Sequence, residues 1–306
     1  MRALIVALPL LLLSCALSPP EKDLPPPTSY LTTSDGKALS LQHWNRQARP
    51  ETVLLALHGI EGAARDFGNL GRALPEQAPR TTLYALNQRG AGYDADWAHQ
   101  GDIANRQLWQ RDLRELHTAL RQRHPDARLV WVGESMGSLV MLQALAEGVP
   151  EAPEGLVLVS PVVSLGALPR WQVALLRVAA TLAPGARVSL AALAGGSFQA
   201  TTHSDHFAQS EGNPYHVESY TLRYLATLAH LAEEAPRHAR EVPGPTLILH
   251  GGQDFLTSTG DMERFRAAFP QRPDYQLFPQ SHHLLFYDKE RKDVIAKLLL
   301  WLLTIR

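Results

Sequence analysis

Gly133-Glu134-Ser135-Met136-Gly137 sets one serine between two glycines, directly after the apolar run Arg128 to Val132 and directly before a helix-like stretch from Met136. A serine hydroxyl is a poor nucleophile until a neighbouring base takes its proton and a third group orients that base. A strand-to-helix bend can present such a serine on a sharp, strained turn, and flanking glycines permit the close backbone approach the bend requires. The pentapeptide alone is weak; its setting makes Ser135 the candidate nucleophile. Asp254 follows the strand-like Thr246 to Leu249 through His250-Gly251-Gly252-Gln253. The next strand-like run, Tyr275 to Phe278, leads into Pro279-Gln280-Ser281-His282-His283. A carboxylate and a histidine pair therefore fall on loops at successive strand ends, at the sheet edge expected to hold Ser135. These are the parts of acyl transfer through a covalent intermediate, which requires no metal and no cofactor.

Two adjacent histidines force a choice, and His282 is the one that follows a small residue. Other polar clusters have plainer readings. His58 precedes the serine in sequence and is read as structural. His203-Ser204-Asp205-His206 has ligand types but no partner cluster, so no metal site is expected. Gly90-Ala91-Gly92 is a turn that lacks the third glycine and setting of a dinucleotide fingerprint.

The elements that must position these residues alternate. Val53 to Leu57 is a continuous apolar run, as in a strand buried on both faces. Thr82 to Leu86, Leu129 to Val132, Leu156 to Val159 and Thr246 to Leu249 read the same way. Leu108, Leu113, Leu116 and Leu120 keep helical spacing through a charged segment whose outer face is read as solvated, and Met136 to Ala146 and Met262 to Phe269 are helix-like. Ser29 to Thr33 and Ala38 to Trp44 flank Ser34-Asp35-Gly36 as a hairpin. Strands alternating with helices predict a mostly parallel central sheet with helices on both faces. Between about 161 and 243 the rhythm breaks: Trp171 to Leu182 and Tyr220 to Leu231 are helical, and no strand is evident. This stretch reads as an inserted helical cap, or else as further helices covering one sheet face. Trp171, Leu175, Leu176 and Val178 are read either as an acyl groove or as cap core.

With 306 residues, one large domain with an insertion fits better than two domains. A net charge of -1 gives no indication of a nucleic-acid partner. Arg2 and the apolar run Ala3 to Leu13 read as a signal peptide over 1–14, too short for the ~20 residues a membrane-spanning helix needs. Leu12-Leu13-Ser14-Cys15 resembles the bacterial lipoprotein cleavage box, and Cys15 is the one cysteine of the chain. That resemblance implies lipidation of Cys15, a proline-rich tether over 15–28, and a membrane-anchored protein on the periplasmic or extracellular face.

From about Tyr30 to the C-terminus the chain resembles the monoacylglycerol lipase and lysophospholipase group of α/β-hydrolases. The motifs are His58-Gly59, Asn87-Gln88-Arg89-Gly90-Ala91-Gly92, Gly133 to Gly137, Gly251 to Asp254 and His282 to Leu285, with Asn213-Pro214 before the cap helix. The resemblance implies the α/β-hydrolase fold over 29–306 and the chain order Ser135, Asp254, His282 for the catalytic triad. His282 is preferred because His282-His283-Leu284-Leu285 resembles the group's H-x-L-L pattern. His58-Gly59-Ile60 matches the HG-type oxyanion motif of the group's pattern, which implies the backbone N–H groups of Ile60 and of Met136, next after Ser135, as oxyanion donors. Glu61-Gly62-Ala63-Ala64, Asn87 and Glu134 depart from it, so substrate preference does not carry over directly. The expected activity is hydrolysis of acyl esters, with small acyl esters or monoacyl lipids as substrates. A peptidase or amidase on the same triad, and a tethered binding protein without turnover, are the alternatives.

Overall fold

The computed structural model describes residues 29–94, 97–149, 151–164, 170–189, 200–202 and 216–305. Cys15, the signal and tether segments, the 203–206 cluster, Gly195-Gly196 and Asn213-Pro214 lie outside the described residues.

The hairpin β1 (Ser29–Thr32) and β2 (Ala38–Trp44) is antiparallel and turns at Gly36, whose φ is 81°. There follow β3 (Thr52–Leu57), α1 (Gly68–Gln77), β4 (Thr81–Leu86), α2 (Gln107–Arg123), β5 (Arg128–Glu134), α3 (Met136–Ala146) and β6 (Gly155–Val159). After β6 come α4 (Arg170–Leu182), the two-residue strands β7 (Arg187–Val188) and β8 (Tyr220–Thr221), and α5 (Leu222–His238). The chain ends with β9 (Thr246–Gly251), α6 (Thr259–Arg266), β10 (Asp274–Phe278) and α7 (Arg291–Leu302). The eight-stranded sheet runs β1-β2-β4-β3-β5-β6-β9-β10. β2 meets β4 antiparallel, and from β4 to β10 every pairing is parallel.

Alternation along the strands builds two separate cores, because successive side chains leave a strand on opposite faces. Val53, Leu55, Leu57, Leu129, Trp131, Leu156, Leu158 and Ile248 point to one face. There they meet Leu113, Leu116 and Leu120 of α2, Leu139, Val140, Met141 and Leu142 of the buried α3, Leu231, Ala232 and Ala235 of α5, and Met262 and Phe265 of α6. Leu54, Ala56, Val130, Val132, Val157, Val159, Leu247 and Leu249 point the other way, onto α1 and α7. A sheet covered on both sides explains why its strands read as unbroken apolar runs.

Among the described residues between β6 and β9, no strand joins the central sheet; β7 and β8 pair only with each other. This segment divides its work. α5 packs on α3 and completes the layer over the sheet, while α4 lies outside α5. Trp171, Leu175, Val178 and Leu182 of α4 are exposed, so these residues form an outward stripe at helical spacing instead of cap core. Leu176 alone of the predicted groove residues packs against the core.

Candidate active site

Ser135 sits at the bend between β5 and α3 with φ 51° and ψ −115°, a conformation that L-residues adopt only when the surroundings enforce it. The surroundings here are tight. A Cβ on Gly137 would lie 2.1 Å from the Leu57 carbonyl oxygen, and one on Gly133 would lie 2.6 Å from Ser138 N. The two glycines let α3 close onto β3 and β5, and the Ser135 N–H is held by Val159 O at 2.9 Å. The hydroxyl is thereby fixed at the carboxyl edge of the sheet.

The loops after β9 and β10 deliver the other two groups to the same edge. The Asp254 side chain is wholly buried, and its Oδ1 accepts from Leu256 N at 2.8 Å. His250 steadies this loop by donating from Nε2 to Thr257 O at 3.0 Å, while its Nδ1 accepts from the Tyr275 hydroxyl at 3.1 Å. Burial would raise the Asp254 carboxyl; the adjacent His283 and the Leu256 N–H outweigh it and hold the group below the ordinary carboxylate value.

The histidine between serine and aspartate is His283, not the expected His282. His283 Nδ1–H donates to Asp254 Oδ2 at 2.9 Å, and Nε2 accepts from the Ser135 hydroxyl at 2.9 Å. A carboxylate only accepts, so this line fixes the tautomer. The two neighbouring rings point to different acids, and a second acid has claimed His282. The wholly buried Asp288 accepts from His282 N at 2.6 Å and from His282 Nδ1–H at 2.9 Å. The same carboxylate accepts from Thr202 Oγ1 at 2.6 Å, and Leu284 N donates to Ala200 O at 2.9 Å. Segment 200–202 is thus stitched to the loop on both sides of His283. The signal in the sequence is Asp288 itself, an acid within one loop of two histidines.

The loop after β3 runs directly beside the nucleophile: a Cβ on Gly59 would lie 3.0 Å from the Ser135 Cβ. His58 holds that loop. Its Nε2 accepts from Gln88 N at 3.1 Å, so Nδ1 carries the proton and donates to Gly59 O at 2.8 Å. Burial pushes this imidazole down to about 4, which keeps it neutral. Gly62 N donates to the same carbonyl at 3.2 Å. With Gly59 O held on one side, the Ile60 N–H of that trans peptide points to the other. Met136 is the first residue of α3, where an N–H has no partner within the helix. Ile60 thus follows a glycine packed against Ser135 and Met136 follows Ser135 directly; backbone donors converging on one serine would suit an oxyanion. Behind the serine, Glu134 is buried and its Oε1 has no hydrogen-bond partner. Burial, reinforced by nearby Asp66, pushes its carboxyl up to about 8. Among the described residues no group of three or more His, Cys, Asp or Glu side chains is placed to hold a metal ion.

A mostly parallel sheet with helices on both faces and a strained serine at a strand–helix bend defines the α/β-hydrolase fold. The chain belongs to the serine aminopeptidase S33 family, whose model matches residues 48–290. It is 23% identical to the monoglyceride lipase of Rattus norvegicus over 144 residues, which are 47% of this chain and 45% of that enzyme. It thus spans about half the length of that relative. A soluble variant of monoglyceride lipase from Saccharomyces cerevisiae superposes with a TM-score of 0.77 at 17% identity, covering 94% of this chain and 98% of that one. A thermostable carboxyl esterase from Bacillus coagulans gives 0.74 at 16% identity, covering 90% and 97%. At these identities the structural likeness is one of fold.

Proposed function

We propose that this chain is a serine hydrolase that cleaves acyl esters, with monoacyl lipids such as monoacylglycerols or lysophospholipids as its substrates. The observation that carries the reading is the unbroken line Asp254–His283–Ser135, two hydrogen bonds of 2.9 Å ending on a strained serine. His283 takes the hydroxyl proton as Ser135 attacks the acyl carbonyl, and Asp254 steadies the imidazolium. The Ile60 and Met136 amides hold the oxyanion. His283 then passes the proton to the departing alcohol, and afterwards activates the water that releases the acid.

The sequence match to monoglyceride lipase favours esters over amides. The outward stripe Trp171, Leu175, Val178 and Leu182 suits an enzyme working at a lipid surface. The name of the S33 family favours the second reading, an amidase or aminopeptidase on the same three residues. Labelling of purified protein with a fluorophosphonate probe, wild type against Ser135→Ala, tests the nucleophile; labelling that persists in the variant refutes it. Monoacylglycerol and p-nitrophenyl esters set beside aminoacyl p-nitroanilides then separate ester from amide cleavage. Membrane attachment through a lipidated Cys15 belongs to the same proposal. Cys15→Ser should abolish processing and lipid labelling; unchanged processing and lipid labelling in the variant would refute the anchor.

A further inference from the structure

Two tyrosines from the segment between β6 and β9 reach Glu61, the residue after Ile60, and Met136, the residue after Ser135. Thr221 caps α5 by accepting from Tyr224 N at 3.2 Å, and Tyr220 immediately precedes that cap. Tyr220 and Tyr224 stand one helical turn apart, with ring centroids separated by 4.9 Å. Tyr224 also packs edge-on against Trp109 at 5.2 Å. Both tyrosines are buried, and burial raises both hydroxyls, so they stay protonated. Their positions are secured from a third side, because Thr221 Oγ1 donates to Asp102 Oδ1 at 2.7 Å and Thr221 N to Gly101 O at 2.8 Å.

Each hydroxyl has a defined contact. Glu61 N donates to Tyr220 Oη at 3.0 Å, and Tyr224 Oη donates to Met136 Sδ at 3.2 Å. Glu61 has φ 61°, a left-handed conformation that a residue with a side chain holds only when its surroundings determine it. The Ile60–Glu61 peptide is therefore pinned at its N–H by Tyr220. The preceding Gly59–Ile60 peptide is pinned at its carbonyl by Gly62 N and His58. Between these two anchors the Ile60 N–H has a single direction open to it.

We propose that Tyr220 and Tyr224 are positioning residues for the oxyanion amides, Tyr220 acting through the Ile60–Glu61 peptide and Tyr224 through the Met136 side chain. The proposal rests on the acyl-ester reading above. It makes the segment over the sheet a part of the machinery that stabilises the transition state. An amide held in place before reaction stabilises developing charge without reorganisation. Loosening it slows chemistry and leaves ground-state binding alone.

The test uses the full chain with Tyr220→Phe and Tyr224→Phe, which keep the rings and remove only the hydroxyls. For each variant, kcat and KM on a p-nitrophenyl ester, inhibition by a trifluoromethyl ketone, and the melting temperature are measured. Tyr220→Phe should lower kcat on the order of tenfold, short of the ~10²-fold or more that loss of an oxyanion donor costs. KM should hold, and inhibition by the ketone, which forms a tetrahedral adduct, should weaken by the same factor. Tyr224→Phe should show the same split with a smaller factor. Unchanged kcat and inhibition in both variants would overturn the proposal. So would a loss of activity that tracks the melting temperature while the ketone binds as before. A wild-type protein inert to both ester and ketone would instead sink the acyl-ester reading, and that result is read before any tyrosine variant is made.

Discussion

At the level of single residues, the histidine pair is divided between two acids. His283 is buried between Asp254 and Ser135, whereas His282 is tied through its ring and its backbone N–H to Asp288. His283→Gln should lower kcat/KM on an ester by ~10³-fold or more, as loss of a triad member does. His282→Gln should cost far less and act through loop position. A steady-state comparison of the two variants checks this, and the reverse order of effects would return the role to His282. Sequence reasoning reached this loop but chose the histidine that bonds Asp288, not the one that lies between Asp254 and Ser135. A motif specifies that a histidine follows the last strand. Which of two adjacent side chains turns inward depends on what captures the other, and Asp288 becomes visible as its captor only when the loop is closed.

Among the elements, the bend from β5 to α3 has the least freedom. Gly137→Ala would drive a Cβ to 2.1 Å from a backbone carbonyl that cannot move without displacing β3. Overpacking of this kind costs roughly 1–3 kcal/mol, so a thermal melt of the variant should show a clear loss of stability. α4 makes a contrasting case. Its stripe of Trp171, Leu175, Val178 and Leu182 satisfies helical spacing as well as any core helix, yet it faces outward. Trp171→Ser combined with Val178→Ser should lower turnover of monoacyl substrate presented in vesicles and leave hydrolysis of a soluble short-chain ester unchanged. Equal rates on both would leave the stripe without a part in substrate access. Periodicity announces that a helix has an apolar face. It does not say whether that face meets a sheet, another helix or a lipid surface, since all three select the same residues.

Over the whole molecule, folding brings a carboxyl that local sequence marks as ordinary into the interior. Glu134, at the end of a strand buried on both faces, is raised from its ordinary 4.5 to about 8 by burial and by Asp66. The folded chain therefore holds this proton between those values while the unfolded chain releases it. Stability from this group is full below pH 4.5 and declines as pH rises towards 8. The slope per proton is at most about 1.4 kcal/mol per pH unit. Denaturant unfolding at pH 5 and pH 8 should show a smaller difference for Glu134→Gln than for wild type, and equal differences would contradict it. The continuous apolar runs from Val53 to Leu249 carried the parallel sheet and its two covered faces, because strand burial is written locally, while the order of serine, aspartate and histidine was what the resemblance to α/β-hydrolases implied. The choice of His283, the link from Tyr220 and Tyr224 to the loop beside Ser135, and the outward turn of α4 were not written there. Each depends on which groups meet in the folded chain: Asp288 with His282 across one closed loop, Glu61 with Tyr220 from distant segments, and α4 packing on α5. The latter two are set by the packing of the whole chain, and the first by how one loop closes, which the order of its residues does not state.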